Sequence, residues 1–274
     1  MSVESLSIRA LAAGYGGARI LKGIDLEIAP GQITAIVGAN ACGKSTLLRA
    51  MSRLLTPESG EVLLDGTSVH ATAPRALARR LGLLPQAPQA PEAITVLDLV
   101  SRGRHPHQGI FGGWSAQDEA AVAEALELTG TDALAEREVA ALSGGQRQRV
   151  WIAMALAQQT EVLLLDEPTT YLDVNHQVEV LDLLTDLNRR RGTTIVMVLH
   201  ELNLAARYAD RLVAMRAGEI HAEGAPGEVL TETMLRAVFD LEARVMDDPV
   251  SGRPLMIPLG RHGLRANERE EARR

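Results

Sequence analysis

Nine residues, Gly38-Ala39-Asn40-Ala41-Cys42-Gly43-Lys44-Ser45-Thr46, constrain the fold of this chain more than any other stretch. They fit G-x-x-x-x-G-K-[ST], a loop that cradles phosphates only when a strand precedes it and a helix follows it. Both neighbours are in place. The apolar run Ile33 to Val37 reads as a buried strand, and Thr46-Leu47-Leu48-Arg49-Ala50-Met51 opens a helix. That arrangement aims backbone N–H groups and the positive helix end at one point, which suits an anion. The pattern therefore predicts phosphate contacts from Gly38, Asn40, Ala41, Cys42, Gly43, Lys44, Ser45 and Thr46. Lys44 is expected to reach the β/γ-phosphates, and the Ser45 hydroxyl to ligate Mg²⁺.

The rest of the chain can be placed around that loop. Leu6, Ile8 and Ala10, then Ile20, Ile24, Leu26 and Ile28, alternate with polar residues about Gly14-Tyr15-Gly16-Gly17, which predicts antiparallel strands. Later apolar strands, Leu81–Leu84, Val162–Leu165, Ile195–Leu199 and Leu212–Met215, alternate with helical patterns. That alternation predicts a mostly parallel sheet with helices on both faces. Val96 to Gln158 is helix-rich, with Ala116–Leu128 its clearest amphipathic pattern. From Arg261 the chain turns charged and aperiodic, the composition of a disordered tail.

Composition closes off several classes. No apolar run approaches the ~18 residues of a membrane helix, and Met1-Ser2-Val3-Glu4-Ser5 lacks the features of a secretory signal. A net charge of −7 argues against a nucleic-acid partner. Cys42 is the sole cysteine, so no internal disulfide framework exists. Its place before a helix N-terminus predicts a reactive thiolate. Of 28 basic residues only Lys22 and Lys44 are lysines. A compact ammonium suits a phosphate clamp in a way that a planar guanidinium does not.

A second signature is Leu142-Ser143-Gly144-Gly145-Gln146, followed by a helical stretch to Ala157 and then Val162-Leu163-Leu164-Leu165-Asp166-Glu167-Pro168. With these motifs in this order, the chain resembles the ATP-binding-cassette ATPases, motor subunits of ABC transporters, over roughly Leu6 to Gly227. The resemblance implies an α/β P-loop NTPase core with a mostly parallel sheet, an N-terminal antiparallel β subdomain and an inserted helical subdomain. It divides one cassette of 1–260 into a core of about 1–86 and 159–260 and a helical part of about 87–158, leaving 261–274 as tail. It implies ATP as substrate and Mg²⁺ as cofactor. Asp166, at the carboxyl end of a buried strand, is expected to coordinate Mg²⁺ with Ser45 and Gln86.

By the same likeness Glu167 is the general base for the attacking water. Gln86 lies on the loop joining core to helical part, and His200 contacts the γ-phosphate. Tyr15 stacks on adenine. Leu142, Ser143, Gly144, Gly145 and Gln146 face the ATP held by a second subunit, and the segment Thr170-Tyr171-Leu172-Asp173 crosses that interface, with Asp173 its acid. A complete site then needs a head-to-tail homodimer. Two departures stand out. Ala41 replaces a common glycine, a cost of about 1 kcal/mol if φ is positive there, and Tyr171 replaces a small residue.

Within the family the likeness is to ATPases of iron–siderophore, haem and vitamin B12 importers. It is carried by Ser101-Arg102-Gly103-Arg104-His105-Pro106-His107 and by His200 through Asp210, with Glu201 where that group often has Asp. The Arg104–His107 stretch is expected on the surface that meets a permease, and His105 and His107 are not expected to ligate metal. The implied partners are membrane permease subunits and, through them, an extracytoplasmic binding protein. The implied place is the cytoplasmic membrane face. A soluble cassette protein of translation or repair would carry two cassettes or a coiled-coil insertion, and a non-hydrolysing module would lack Glu167 and His200.

Overall fold

A computed structural model of the chain describes residues 5–109, 113–170 and 172–260. Six strands form the central sheet in the lateral order Glu219–Gly224, Arg211–Arg216, Ile33–Gly38, Thr194–Val198, Val162–Asp166 and Leu81–Leu84. All neighbours pair in parallel except the edge strand Glu219–Gly224. Every residue of Ile33–Gly38, Val162–Asp166 and Thr194–Val198 is buried, as expected where both faces of a parallel sheet are covered.

Alternate residues of these strands feed two apolar cores. Ile33, Ala35, Val37, Leu163 and Leu165 face one core, which continues without a break into Val150, Trp151 and Ile152 of the helix Gly144–Ala157. Ile36, Val162, Leu164, Val196 and Val198 face the other, with Leu47, Leu48 and Met51 of the helix Lys44–Met51 and the inner face of a second sheet. Full burial of each such side chain contributes about 1.5–3 kcal/mol.

That second sheet is antiparallel, ordered Ala18–Ile28, Leu6–Tyr15, Ser59–Leu64 and Thr67–Ser68. Its alternation has one break. Leu6 and Ile8 point inward, whereas Ala10, expected inward, is exposed with a φ of 43° and Leu11 takes the buried place. A bulge between Ile8 and Leu11 inserts the extra residue and shifts the inward set by one.

Several helices begin where a side-chain cap satisfies their free N–H groups, whereas Lys44–Met51 has no such cap. Ser115 and Asp118 form a reciprocal capping box for Ala116–Leu128, which has the bounds its sequence pattern indicated. Ser143 and Gln146 do the same for Gly144–Ala157. Asp173 caps the long helix Val174–Arg191, which ends on Gly192 at a φ of 67°. Among the described residues no helix is long and apolar enough to cross a membrane. The tail 261–274 and Tyr171 lie outside the described residues.

Candidate active site

Residues far apart in sequence meet because parallel strands put their carboxyl ends on one edge of the sheet. At that edge, Ile33–Gly38 delivers the glycine-rich loop, and Val162–Asp166 delivers Asp166 and Glu167. Thr194–Val198 leads to His200, and Leu81–Leu84 to Gln86. They enclose a cavity of about 680 Å³ whose walls include Asn40, Ala41, Gly43, Lys44, Ser45, Thr46, Gln86, Glu167 and His200. Ile20 and Thr170 complete it. Sequence reasoning placed neither of these two in the cavity: Ile20 was read as a strand residue and Thr170 as part of the interface segment. Thr170 had one signal, a hydroxyl three residues after Glu167.

The loop is built from unusual backbone. Gly38 and Gly43 have φ of 156° and 110°, and a Cβ on Gly38 would lie 2.4 Å from the Met215 carbonyl oxygen. Ala41 has a φ of 60°, so the strain anticipated for it is present, about 1–2 kcal/mol for a residue with a Cβ. Lys44 is buried and its ammonium donates to the carbonyls of Gly38 and Ala39, at 2.9 and 3.1 Å. Among the described residues no ion pair involves Lys44, so its charge is left to carbonyl dipoles and to whatever anion enters the cavity.

The carboxylates are arranged differently. Asp166 accepts a hydrogen bond from Ser45 Oγ at 2.9 Å. Burial pushes its pKa up, the Ser45 hydroxyl pulls the other way, and Glu167 adds to the rise. Glu167 accepts from Gln86 Nε2 at 2.6 Å and Thr170 Oγ1 at 3.0 Å, and its Oε1 lies 2.5 Å from His200 Nε2. Burial opposes ionisation of Glu167, but the hydrogen bonds from His200, Thr170 and Gln86 outweigh it and hold the carboxyl below its ordinary value. Glu167 also has a φ of 55° immediately before Pro168, a strained backbone at the centre of the cavity wall.

Three expectations are corrected. Cys42 is buried, and burial raises its pKa against the opposing charge of Lys44, so the thiol is not the reactive thiolate that a helix N-terminus suggests. Its Sγ packs in the apolar core, and its N–H is turned to the Ala39 carbonyl at 3.3 Å. Arg104 is not on the outer surface. It is 1% exposed, pairs with Asp118 at 2.9 Å and donates to the carbonyl of Ala157 at 2.7 Å and to Gln159 Oε1 at 3.2 Å. His107 is likewise turned inward, with Nε2 2.8 Å from the Gln158 carbonyl. The third correction is the bulge at Ala10.

Other candidates stand apart from the cavity. Tyr15 ends its strand, half-exposed, with its hydroxyl accepting from Arg49 at 3.2 Å. Leu142 is buried, whereas Ser143 and Gly144 are exposed at the start of their helix. Asp173 accepts from the N–H and Nδ1 of His176, at 3.0 and 2.8 Å, and these bonds, the backbone one first, hold its carboxyl below its usual value.

Known proteins agree with this architecture. Residues 21–170 match the family model described as ABC transporter. The achromobactin transport ATP-binding protein CbrD of Dickeya dadantii is 54% identical over 259 residues, covering 94% of this chain and 96% of that protein. The ferric enterobactin transport ATP-binding protein FepC of Escherichia coli is 51% identical, covering 95% and 96%. The iron(3+)-hydroxamate import ATP-binding protein FhuC of Bacillus subtilis is 46% identical, covering 98% of both. Among solved structures, the dimeric bacterial ABC transporter cassette MJ0796 superposes with a TM-score of 0.72 at 28% identity, covering 80% of this chain and 98% of that one. Its dimer has also been solved in a post-hydrolysis state bound to ADP and Pi. With its cavity, its motif order and these relatives in agreement, the chain belongs to the ABC transporter family.

Proposed function

We propose that this chain is the ATP-hydrolysing subunit of a bacterial importer of iron–siderophore complexes. One observation carries the chemistry: four neighbouring strands deliver Lys44, Ser45, Glu167, Gln86 and His200 to one cavity, with Asp166 hydrogen-bonded to Ser45 at its wall. Lys44 would exchange its carbonyl partners for β/γ-phosphate oxygens, a stronger charge-assisted contact. The free N–H groups of the first helical turn would take the remaining phosphate charge. Glu167, kept ionised by its three donors, would accept a proton from the attacking water, and His200 beside it would meet the γ-phosphate. Tyr15 would stack on the adenine.

The donors beside the loop fit Mg²⁺. Ser45 Oγ and Asp166 offer hard oxygen ligands, and a divalent cation would offset the burial that disfavours the Asp166 carboxylate. Gln86, with its amide N–H already given to Glu167, would turn Oε1 to the ion. When bound, Mg²⁺ screens the phosphate charge.

Leu142, Ser143, Gly144, Gly145 and Gln146 stand outside the cavity of their own chain, which supports their serving a second copy in a head-to-tail homodimer, with Asp173 at that interface. We read 1–86 and 159–260 as the nucleotide core and 87–158 as the helical part that meets the permease at the cytoplasmic face. An extracytoplasmic binding protein would supply the cargo. The cargo assignment is supported by relatives named for achromobactin, enterobactin and hydroxamate transport. The test is ATP turnover by the reconstituted complex with its binding protein and a panel of ferric siderophores, haem and cobalamin. A ferric siderophore should raise turnover. Stimulation by haem or cobalamin alone would move the cargo to that class.

A further inference from the structure

A long-range hydrogen bond ties together the two segments that carry the signatures. Gln148 Nε2 donates to the carbonyl of Pro168 at 2.9 Å. Gln148 lies one turn into Gly144–Ala157, the helix that starts with the Ser143–Gln146 cap. Pro168 directly follows Glu167. The turn after Glu167 is fastened at further points. The Thr170 N–H donates to the Glu167 carbonyl at 3.2 Å, and Gln177 Nε2 donates to the Leu172 carbonyl at 3.0 Å. A Cβ on Gly145 would lie 3.6 Å from Leu172 and 3.7 Å from the His176 ring, so the start of the helix rests on the far end of that turn.

This turn needs fastening. A glutamate at φ 55° occupies a region that residues with a Cβ avoid, and the proline after it crowds its backbone further. Proline has no N–H, so its carbonyl is the only backbone group by which position 168 can be held. Pro168 is buried, so leaving its carbonyl without a partner would carry a desolvation cost.

We propose that Gln148 is a positioning residue for hydrolysis: it holds the Pro168 carbonyl, fixes Glu167 in its strained backbone, and couples that base to the signature helix of the same chain. The inference rests on Glu167 being the base of the proposed ATPase. A displacement of the helix against a partner's nucleotide then carries the base of its own site with it.

The test uses the full transporter complex and three variants. Gln148→Met keeps the volume and removes the donor, Gln148→Lys restores a donor of similar reach, and Glu167→Gln is the control for the underlying reading. Loss of this part-buried hydrogen bond should lower kcat of Gln148→Met about tenfold or more, with KM for ATP within about threefold of wild type. Gln148→Lys should recover part of the loss in kcat, and the small drop in melting temperature from the unpaired Pro168 carbonyl should leave the variants folded at the assay temperature. An unchanged kcat, or a rise in KM matched by a fall in melting temperature, overturns the proposal. Glu167→Gln with wild-type turnover would instead overturn the reading of the site itself.

Mixed dimers locate the effect. In a dimer of a Gln148→Met chain with a Lys44→Ala chain, the only intact phosphate loop lies on the Gln148→Met chain. Its turnover should fall below that of wild type paired with Lys44→Ala. Placing both substitutions on one chain, opposite wild type, should restore that reference rate. The reverse pattern would mean that Gln148 serves the partner's site and would refute coupling within the chain.

Discussion

Two of the chain's buried polar networks, one around Arg104 and one around the cavity, are finished to different degrees. Around Arg104 the guanidinium nitrogens Nε and Nη1 and both Asp118 oxygens have partners. The guanidinium meets Asp118, the Ala157 carbonyl and Gln159, while the second Asp118 oxygen takes the Ser115 hydroxyl and N–H at 2.7 and 3.1 Å. Around the cavity the groups are poised. Lys44 rests on carbonyls, Glu167 sits on strained backbone, and Asp166 is buried at the expense of its charge. Both networks use arginine or lysine with carboxylates. A saturated network has no valence left for a ligand and stabilises the fold, whereas an unsaturated one next to a cavity gains when a ligand arrives.

Removing the proposed base tests the poised network most severely. Glu167→Gln should lower ATP turnover about 10²–10⁴-fold, the usual contribution of a general base, while ATP still binds. The dimer should then accumulate with Mg-ATP on size exclusion, and turnover near wild type would break the assignment. The saturated network should respond in stability and not in chemistry. Arg104→Ala strands the Asp118 carboxylate and should cost about 3–5 kcal/mol in denaturant unfolding. A loss below about 1 kcal/mol would place Arg104 with ordinary surface pairs.

Lys44→Ala separates the two networks by affinity. Losing one charge-assisted contact should weaken ATP binding about 10–150-fold, with little loss of fold stability because no carboxylate is left unpaired. Equal affinity in a labelled-ATP titration would mean that the loop is not the phosphate site.

The smaller effects concern protonation. The Ser115 hydroxyl, and after it Arg104, hold the Asp118 carboxyl below its ordinary value. A depressed folded pKa contributes stability above the unfolded value of about 3.9 and loses it as pH falls through the folded value. Acid titration of unfolding should therefore be flatter for Asp118→Asn than for wild type below about pH 4. The Cys42 thiol should react slowly with maleimide at neutral pH and at the same rate with or without Mg-ATP, because burial keeps it protonated and covered. Protection by Mg-ATP would return Cys42 to the nucleotide site.

Much of the cavity was legible because its residues lie in short linear motifs with defined neighbours. The strand before Gly38, the helix after Gly43 and the carboxylates after Leu165 are all local patterns. The helix Ala116–Leu128 was legible for the same reason, since its cap and its periodicity lie within its own residues. Arg104 was not. An arginine in a polar stretch reads as surface, and only Asp118 and the end of another helix make its burial possible. Thr170 became part of the cavity only through the turn that brings its hydroxyl back to Glu167. Cys42 misled because a helix N-terminus is visible in sequence, whereas the apolar packing that covers the thiol is not.

The sequence by itself determined which groups this protein has for phosphate chemistry and on which side of the sheet they stand. Motif spacing and the two-residue and 3.6-residue periods are properties of neighbouring residues. The tertiary structure alone decided which of those groups are satisfied. Whether Lys44 is left without a carboxylate, Glu167 is strained against Pro168 and Arg104 is paired with Asp118 depends on side chains that approach from distant segments. Burial then sets the energy of each charge, and burial is a property of the packed molecule and not of any stretch of chain.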